Sequence, residues 1–225
     1  MRPWRRASPP GRFPLSHWPL GGRLKTDRRH RGDPRPVLSW LYTLMRQEIR
    51  FAGFGGQGII SAGRITGRAA VLHDGKHAVL IQSYGPEARG GACSAEVVVA
   101  DAPVDYPRVG TPDVAVIMSQ EAYEKFGRDV KPGGLLLLDQ DLVEHEERED
   151  VRVAEVPATR IAESLGRRIV ANVVMLGALS ALWPAISKDA LLQAVLGAVP
   201  PHTRDLNERA FQAGVSYVEE NIHGS

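Results

Sequence analysis

The stretch Glu48–Ile60, EIRFAGFGGQGII, decides the fold. Its apolar segment Glu48–Ala52 predicts a strand, and the apolar spacing over Gln57–His73 predicts a helix. The turn Gly53–Gly58 fits the pattern G-x-G-x-x-G in its proper setting, after a strand and before a helix. Glycine allows positive φ angles and close approach of a ligand, and a helix N-terminus offers N–H groups to an anion. The sequence therefore predicts a βα unit suited to phosphate or pyrophosphate.

The rest of the chain alternates strands with helices and then becomes helical. Two nearly continuous apolar runs, Asp113–Met118 and Gly134–Asp139, indicate strands covered on both faces. We therefore predict an α/β fold, a Rossmann-like three-layer domain with a mostly parallel sheet and a helical C-terminal part. The predicted strands are Glu48–Ala52, His77–Gln82, Ala95–Ala100, Asp113–Met118, Gly134–Asp139 and Val151–Val156. The predicted helices are Gln57–His73, Glu121–Phe126, Ala158–Leu165, Ala171–Leu182, Lys188–Val199 and Arg204–Ile222.

Residues 1–44 differ in composition from the rest of the chain. Residues 1–46 carry 11 Lys and Arg against 2 Asp and Glu, whereas the remainder carries 17 against 24. The first 44 residues show neither the apolar core of a secretory signal nor the amphipathic period of a transit peptide. We predict that residues 1–44 are a disordered extension upstream of a biological start at Met45, and that residues 45–225 form the domain. The mildly acidic domain argues against a nucleic-acid partner.

Cysteine and histidine usage excludes several classes of site. Cys93 is the single cysteine, so neither an internal disulfide nor a four-cysteine zinc or iron–sulfur site is possible. No histidine stands near it in sequence, and we interpret it as a small buried residue rather than a nucleophile. The seven histidines show no metal-binding spacing. No apolar run reaches the length of about 18 residues needed to span a bilayer, so we expect a soluble, cytoplasmic protein with no membrane partner.

A second loop, SYGPEARGG at Ser83–Gly91, follows the second predicted strand. In a parallel sheet it would emerge at the same carboxyl edge as the glycine turn, where α/β sheets bind ligands. Arg89 offers a planar guanidinium to a phosphate or carboxylate, and Tyr84 offers a stacking face with a hydroxyl. The alternative is a solvated Gly/Pro turn. The candidate binding residues of the two loops are Gly55, Gly56, Gln57, Gly58, Tyr84, Gly85, Glu87, Arg89, Gly90 and Gly91.

A dinucleotide is a familiar ligand of such a glycine turn. That site needs an acidic residue near the end of the second strand to hold the ribose hydroxyls. Here the strand ends at Gln82-Ser83, and Asp74 lies before the strand rather than after it. The dinucleotide arrangement is therefore incomplete. Two alternatives stay open: a stand-alone NAD- or FAD-dependent oxidoreductase, and a scaffold that binds no small molecule.

Five sequence blocks stand in order along the chain. They are FAGFGGQGII at Phe51–Ile60, SYGPEARGGACSAEV at Ser83–Val97, the pair Tyr106-Pro107, SQEAYEKF at Ser119–Phe126 and ANVVMLGAL at Ala171–Leu179. Together they resemble the gamma subunit of 2-oxoacid:ferredoxin oxidoreductases, the family that acts on pyruvate, ketoisovalerate or 2-oxoglutarate. The form SYGPEARGG looks most like the 2-oxoglutarate synthase branch.

The resemblance implies a subunit of a multi-chain enzyme that converts a 2-oxoacid into acyl-CoA, CO2 and reduced ferredoxin. It implies alpha and beta subunits as partners, a ferredoxin-like delta subunit as a further candidate, and ferredoxin as electron acceptor. Thiamine diphosphate, magnesium and iron–sulfur clusters would lie on partner subunits, because this chain lacks cluster cysteines and the GDG…N signature. We expect the candidate residues to form a coenzyme A or subunit-interface site with Arg89 as the charged anchor. We expect no catalytic residue in this chain.

Overall fold

The structure, a computed structural model, describes residues 45–83 and 92–222. The predicted disordered extension, residues 1–44, lies outside the described residues. So do six of the candidate binding residues, namely Tyr84, Gly85, Glu87, Arg89, Gly90 and Gly91.

The predicted strands and helices are confirmed, with small differences at their ends. The strands of the described residues are β1 Arg46–Phe54, β2 His77–Ser83, β3 Ala92–Ala100, β4 Val114–Ile117, β5 Leu135–Asp139 and β6 Arg152–Val156. The α-helices are α1 Ile59–Leu72, α2 Gln120–Phe126, α3 Ala158–Ser164, α4 Ala171–Leu182, α5 Lys188–Ala198 and α6 Arg204–Asn221. No helix in these parts of the chain is long and apolar enough to cross a bilayer.

The strands form one sheet in the order β2-β3-β1-β4-β5-β6. Strands β1, β4, β5 and β6 run parallel, whereas β3 is antiparallel to both of its neighbours. The mostly parallel sheet is therefore confirmed, with one antiparallel strand that the alternation of strands and helices does not predict. Its cause is the short connection from Ser83 to Ala92, since a parallel neighbour needs a crossover of a dozen or more residues.

Alternate residues of the strands enter two different cores. On β1, Ile49 and Phe51 pack into the larger core with α1, α4 and the other C-terminal helices. Ala52 faces the opposite side, where a smaller core includes Ala122 of α2. This period of two is the expected result of strand geometry when both faces are covered. The helical C-terminal part thus covers one face, and α2 lies on the other.

Two glycines set the distance between α4 and α6. A Cβ atom on Gly177 would overlap the carbonyl oxygen of Phe211, and one on Gly214 would overlap the carbonyl oxygen of Val174. The two backbones are therefore in direct contact at this crossing. Because α4 is buried along almost its whole length, this close packing fixes the start of α4 beside the glycine turn.

Candidate functional site

The glycine turn lies at the carboxyl edge of the parallel strands. There the end of β1 pairs with the start of β3, with Phe54 opposite Ala92. Ser83 at the end of β2 pairs with Ser94 of β3. Both ends of the second loop therefore lie at the edge that holds the glycine turn, which is the usual ligand-binding edge of an α/β sheet.

The backbone of the turn requires glycine at two positions. Gly56 has a φ of 101° and Gly58 has a φ of 78°, both in the region that side chains disfavour. Gly58 is also the N-cap of α1, and no side chain caps this helix. Among the described residues, a Cβ atom on Gly55 or Gly56 would meet nothing within 4 Å. The described part of the chain therefore leaves the space above Gly55 and Gly56 open at an uncapped helix N-terminus, which suits an anion.

Gln57 fastens the turn to the neighbouring strand. The Phe54 N–H donates to Gln57 Oε1 at 2.6 Å, and Gln57 Nε2 donates to the Met118 carbonyl at 2.7 Å. Both ends of this amide are thus engaged within the protein. The structure shows that Gln57 holds the shape of the turn. Its predicted role as a binding residue stays a prediction.

Asn172, in the first turn of α4, is distant in sequence from the turn but contacts it. Its Nδ2 donates to the Gly58 carbonyl at 3.2 Å, and a Cβ atom on Gly58 would lie 2.8 Å from Asn172 Cγ. Both its positive φ angle and this contact with Asn172 therefore disfavour any side chain at position 58. Sequence reasoning missed Asn172 as a site residue, although a polar side chain at the start of an apolar helix is a usable signal.

A cavity of about 240 Å³ opens beside the turn. Ligand pockets commonly span about 300–1,000 Å³, so this cavity suits one group of a ligand rather than a whole cofactor. Sequence reasoning did not single out Thr159, Arg168 or Ile169, because their approach depends on how α3 and α4 pack. The cavity is lined by Gly56, Gln57, Met118, Thr159, Arg168, Ile169 and Ala171.

Arg168 gives the cavity a cation that is only loosely paired. Its Nε lies 3.8 Å from Glu163 Oε1, and both side chains are more than half exposed. An exposed pair at this distance contributes little to stability. The guanidinium is therefore available to an anion that enters beside Gly56. Ile169, 65% exposed, adds an apolar surface next to it.

Asp139 is a buried carboxylate at the same edge. The Thr159 N–H and hydroxyl donate to Asp139 Oδ2 at 3.2 and 2.7 Å, and the Asp141 N–H donates to Oδ1 at 3.2 Å. Burial raises the pKa of Asp139 above its ordinary value, and these hydrogen bonds oppose that rise. The bonds tie the end of β5 to the first turn of α3, so Asp139 positions Thr159 at the cavity.

Cys93 lies within β3 and is buried in the larger core. Burial raises the pKa of its thiol, which disfavours the thiolate that nucleophilic chemistry needs. This agrees with its interpretation as a small buried residue. In residues 45–83 and 92–222, no three His, Cys, Asp or Glu side chains come together in a way that would hold a metal ion.

Comparison with known proteins decides the family. Residues 48–217 match the family described as pyruvate ferredoxin/flavodoxin oxidoreductase. The chain belongs to this family. Among curated members, the 2-oxoglutarate synthase subunit KorC of Methanocaldococcus jannaschii is 51% identical over 179 residues, which cover 78% of this chain and 96% of that protein.

Two solved structures of oxidoreductases from this family group share the fold. The keto/oxoacid ferredoxin oxidoreductase gamma subunit of Geobacter sulfurreducens matches with a TM-score of 0.71 and 45% identity, covering 76% of this chain and 95% of that one. The 2-oxoglutarate:ferredoxin oxidoreductase of Magnetococcus marinus matches with a TM-score of 0.70 and 28% identity, over 77% of this chain and 31% of that one. That structure was solved with 2-oxoglutarate, coenzyme A and succinyl-CoA bound. The resemblance to gamma subunits seen in the sequence is thereby confirmed.

Proposed function

We propose that this chain is the gamma subunit of a thiamine diphosphate-dependent 2-oxoglutarate:ferredoxin oxidoreductase, which forms succinyl-CoA, CO2 and reduced ferredoxin. The observation that carries this proposal is the 51% identity to a 2-oxoglutarate synthase subunit over 96% of that subunit's length. Alpha and beta subunits supply the redox chemistry, with a ferredoxin-like delta subunit as a further partner. This chain contributes no catalytic residue.

The side chains of this chain that could bind a metal agree with redox centres held by other subunits. An iron–sulfur cluster needs several thiolates, and the sequence holds one cysteine, which is buried in β3. Residues of this chain therefore do not fit a cluster. The glycine turn and Arg168 of the adjacent cavity offer backbone N–H groups and a guanidinium, which suit an anionic ligand rather than a metal.

Coenzyme A is the anionic ligand that we propose for this edge. The uncapped N-terminus of α1 and the open space over Gly55 and Gly56 allow close approach of a phosphate. Arg168 lines the adjacent cavity, and Arg89 of the second loop would supply a further charge. A related enzyme binds coenzyme A. When bound, coenzyme A would accept the acyl group in the complex, and this chain would hold and orient it.

The alternative of a stand-alone NAD or FAD enzyme has weaker structural support. In a dinucleotide site, the strand that carries the acidic residue lies next to the strand that precedes the glycine turn. Here β3 lies between β1 and β2, and β2 ends at Ser83. The ribose partner is thus absent from the described end of β2, and that strand end lies two strands away from the turn. Our proposal predicts that the purified chain shows no absorbance from bound flavin or nicotinamide.

Purification of the native or co-expressed complex tests the substrate. Its activity would be followed by viologen or ferredoxin reduction with 2-oxoglutarate, pyruvate and 2-oxoisovalerate, with and without coenzyme A. We expect 2-oxoglutarate to give the highest kcat/KM, and the rate to depend on coenzyme A. Higher kcat/KM with pyruvate would contradict the proposed branch, and failure to co-purify with other subunits would contradict the proposed role.

The Arg89→Ala variant tests the coenzyme A site in the same complex. We expect the apparent KM for coenzyme A to rise by about ten-fold, as the loss of one charge-assisted contact implies, with the KM for the 2-oxoacid unchanged. The matched control is Arg108→Ala, which removes an exposed arginine elsewhere on the chain. An unchanged KM for coenzyme A in a complex that assembles normally would favour the scaffold alternative.

A further inference from the structure

The two edges of the sheet differ in how they are protected from pairing with another strand. Strand β6 forms one edge and β2 forms the other. An edge strand carries unpaired N–H and C=O groups, and short length, charged side chains and proline keep such a strand from pairing. Strand β6 has all three features, since it spans five residues, carries Arg152 and Glu155, and is followed directly by Pro157. It is therefore a protected edge.

Strand β2 lacks these protections. Its seven residues, HAVLIQS at His77–Ser83, include no proline, aspartate, glutamate, lysine or arginine. It pairs with β3 on one side, and within residues 45–83 and 92–222 no strand pairs with it on the other. In the described part of the chain, the outer backbone groups of β2 are therefore open to a further strand.

The side chains of β2 leave apolar surface exposed at this edge. Ala78 and Leu80 pack against the larger core, although both stay partly exposed. Because side chains alternate along a strand, Val79 and Ile81 point to the opposite face of the sheet. Both are partly exposed, and neither core includes them among its described members. Two β-branched side chains thus lie at the edge of the sheet, outside both cores.

Helix α1 adds a further apolar residue beside β2. A Cβ atom on Gly67 would lie 4.0 Å from the Ala78 Cβ atom, so this part of α1 lies over β2. Val71 follows one helical turn later on the same face of the helix, and 46% of it is exposed. Val71 therefore extends the apolar surface of β2 onto α1.

The sequence of β2 is self-complementary in antiparallel pairing, which identifies a second copy of this chain as its partner. Two identical edges that pair in this way are related by a twofold axis perpendicular to the sheet, so the axis must pass through a residue. An axis at Leu80 pairs all seven residues of the strand. Val79 of one copy then lies opposite Ile81 of the other, and the polar His77 lies opposite Ser83. β-Branched side chains pack well against such cross-strand neighbours.

We propose that two copies of this chain associate through β2, in antiparallel pairing about Leu80, to form one continuous sheet. This inference goes beyond the proposed function, which concerns different subunits and coenzyme A. The glycine turn stays outside the pairing, because it follows β1, and β3 separates β1 from β2. The enzyme complex would then hold this chain in pairs.

The mass of the full-length chain in solution tests the association. Light scattering after size-exclusion chromatography, at several loading concentrations, should give the mass of two chains. The variant Val79→Lys/Ile81→Lys should give the mass of one, because lysines of the two copies would lie opposite each other and like charges destabilise a strand pair. The control Gln212→Lys/Ser216→Lys adds the same charge at two exposed residues of α6 and should stay a dimer. A wild-type monomer at every concentration would overturn the proposal, as would a dimer of the β2 variant or a monomeric control.

Cysteine cross-linking tests the register with substitutions that add no charge to the strand. Directly opposite residues of an antiparallel pair have Cβ atoms about 4.5–5.5 Å apart, whereas diagonal neighbours lie about 7–8 Å apart. A mixture of Val79→Cys and Ile81→Cys chains should therefore form a disulfide-linked dimer on mild oxidation, and either variant alone should form much less. Cys93 is buried, so the wild type should form none. Equal cross-linking of the mixture and the single variants, or none in the mixture, would overturn the pairing about Leu80.

Discussion

The glycines of the α4–α6 crossing and those of the glycine turn exist for opposite reasons. At the crossing, a Cβ atom on Gly177 or Gly214 would overlap the backbone of the facing helix. At the turn, a Cβ atom on Gly55 or Gly56 would meet no described residue within 4 Å. The first pair is glycine because the facing backbone fills the space. The second pair has no such neighbour in the described part of the chain, and lies at the carboxyl edge of the sheet where we propose that a ligand binds.

Replacement of Gly177 should have the largest effect on stability. The Gly177→Ala variant places a methyl group where the Phe211 carbonyl oxygen lies, and overpacking against a backbone costs about 3 kcal/mol. Urea unfolding should show this loss. Gly197→Ala is the control, because Gly197 lies in α5 with open space around it, and alanine there should stabilise the protein by about 0.5–1 kcal/mol. Equal changes in stability for Gly177→Ala and Gly197→Ala would contradict the claim that the two glycines differ in the space around them.

Gly58→Ala should come next, with a loss of about 2 kcal/mol. Its φ of 78° disfavours alanine, and the new methyl group would press against the Asn172 amide. Asn172 is a flexible side chain and can move, so the cost stays below that at the α4–α6 crossing. Thermal unfolding of Gly58→Ala alone and together with Asn172→Ala measures the contact. If the second change recovers none of the loss, the cost comes from backbone conformation alone.

Gly56→Ala should lose about 1 kcal/mol, because the φ of 101° is unfavourable for alanine while the space is free. The same denaturation experiment measures this loss. A loss as large as that of Gly177→Ala would mean that the space over Gly56 is filled, which contradicts the comparison.

Asp139→Asn should change the pH dependence of stability, and we expect this pH-dependent part to be smaller than the losses at Gly177, Gly58 and Gly56. Burial raises the pKa of Asp139 above the ordinary value of 3.8, so the folded state binds a proton more readily than the unfolded state. As pH falls from neutral through the raised pKa, the wild type should therefore gain stability relative to Asp139→Asn, and the gain is complete below 3.8. Urea unfolding of both proteins over this pH range gives the difference. A difference that stays constant would show that the hydrogen bonds offset burial, and one that changes in the opposite direction would show that they outweigh it.

The sequence predicted the helices and strands well because their ends carry strong local signals. Pro157 stands between β6 and α3, and Pro184 follows the end of α4. Ser119 caps α2 by accepting a hydrogen bond from the Ala122 N–H. The antiparallel direction of β3 was not predicted, although the short connection between β2 and β3 is a usable signal. Pairing order depends on contacts between distant residues, and periodicity does not report them.

The site was only partly predictable for the same reason. The glycine pattern located the turn, since positive φ angles at Gly56 and Gly58 restrict the residue type. The internal hydrogen bonds of Gln57 and the approach of Asn172 depend on how distant elements pack. The predicted contributions of Tyr84, Glu87 and Arg89 stay predictions.

The coenzyme A affinity of a Gly55→Val complex tests the central claim most directly. Gly55 and Gly110 are both exposed glycines with free space for a side chain and without a positive φ angle, so valine at either position should leave stability within about 0.5 kcal/mol. If coenzyme A approaches the turn, Gly55→Val should raise the apparent KM for coenzyme A by about ten-fold, while Gly110→Val and the KM for the 2-oxoacid stay unchanged. An unchanged KM for coenzyme A in Gly55→Val would contradict the proposed site.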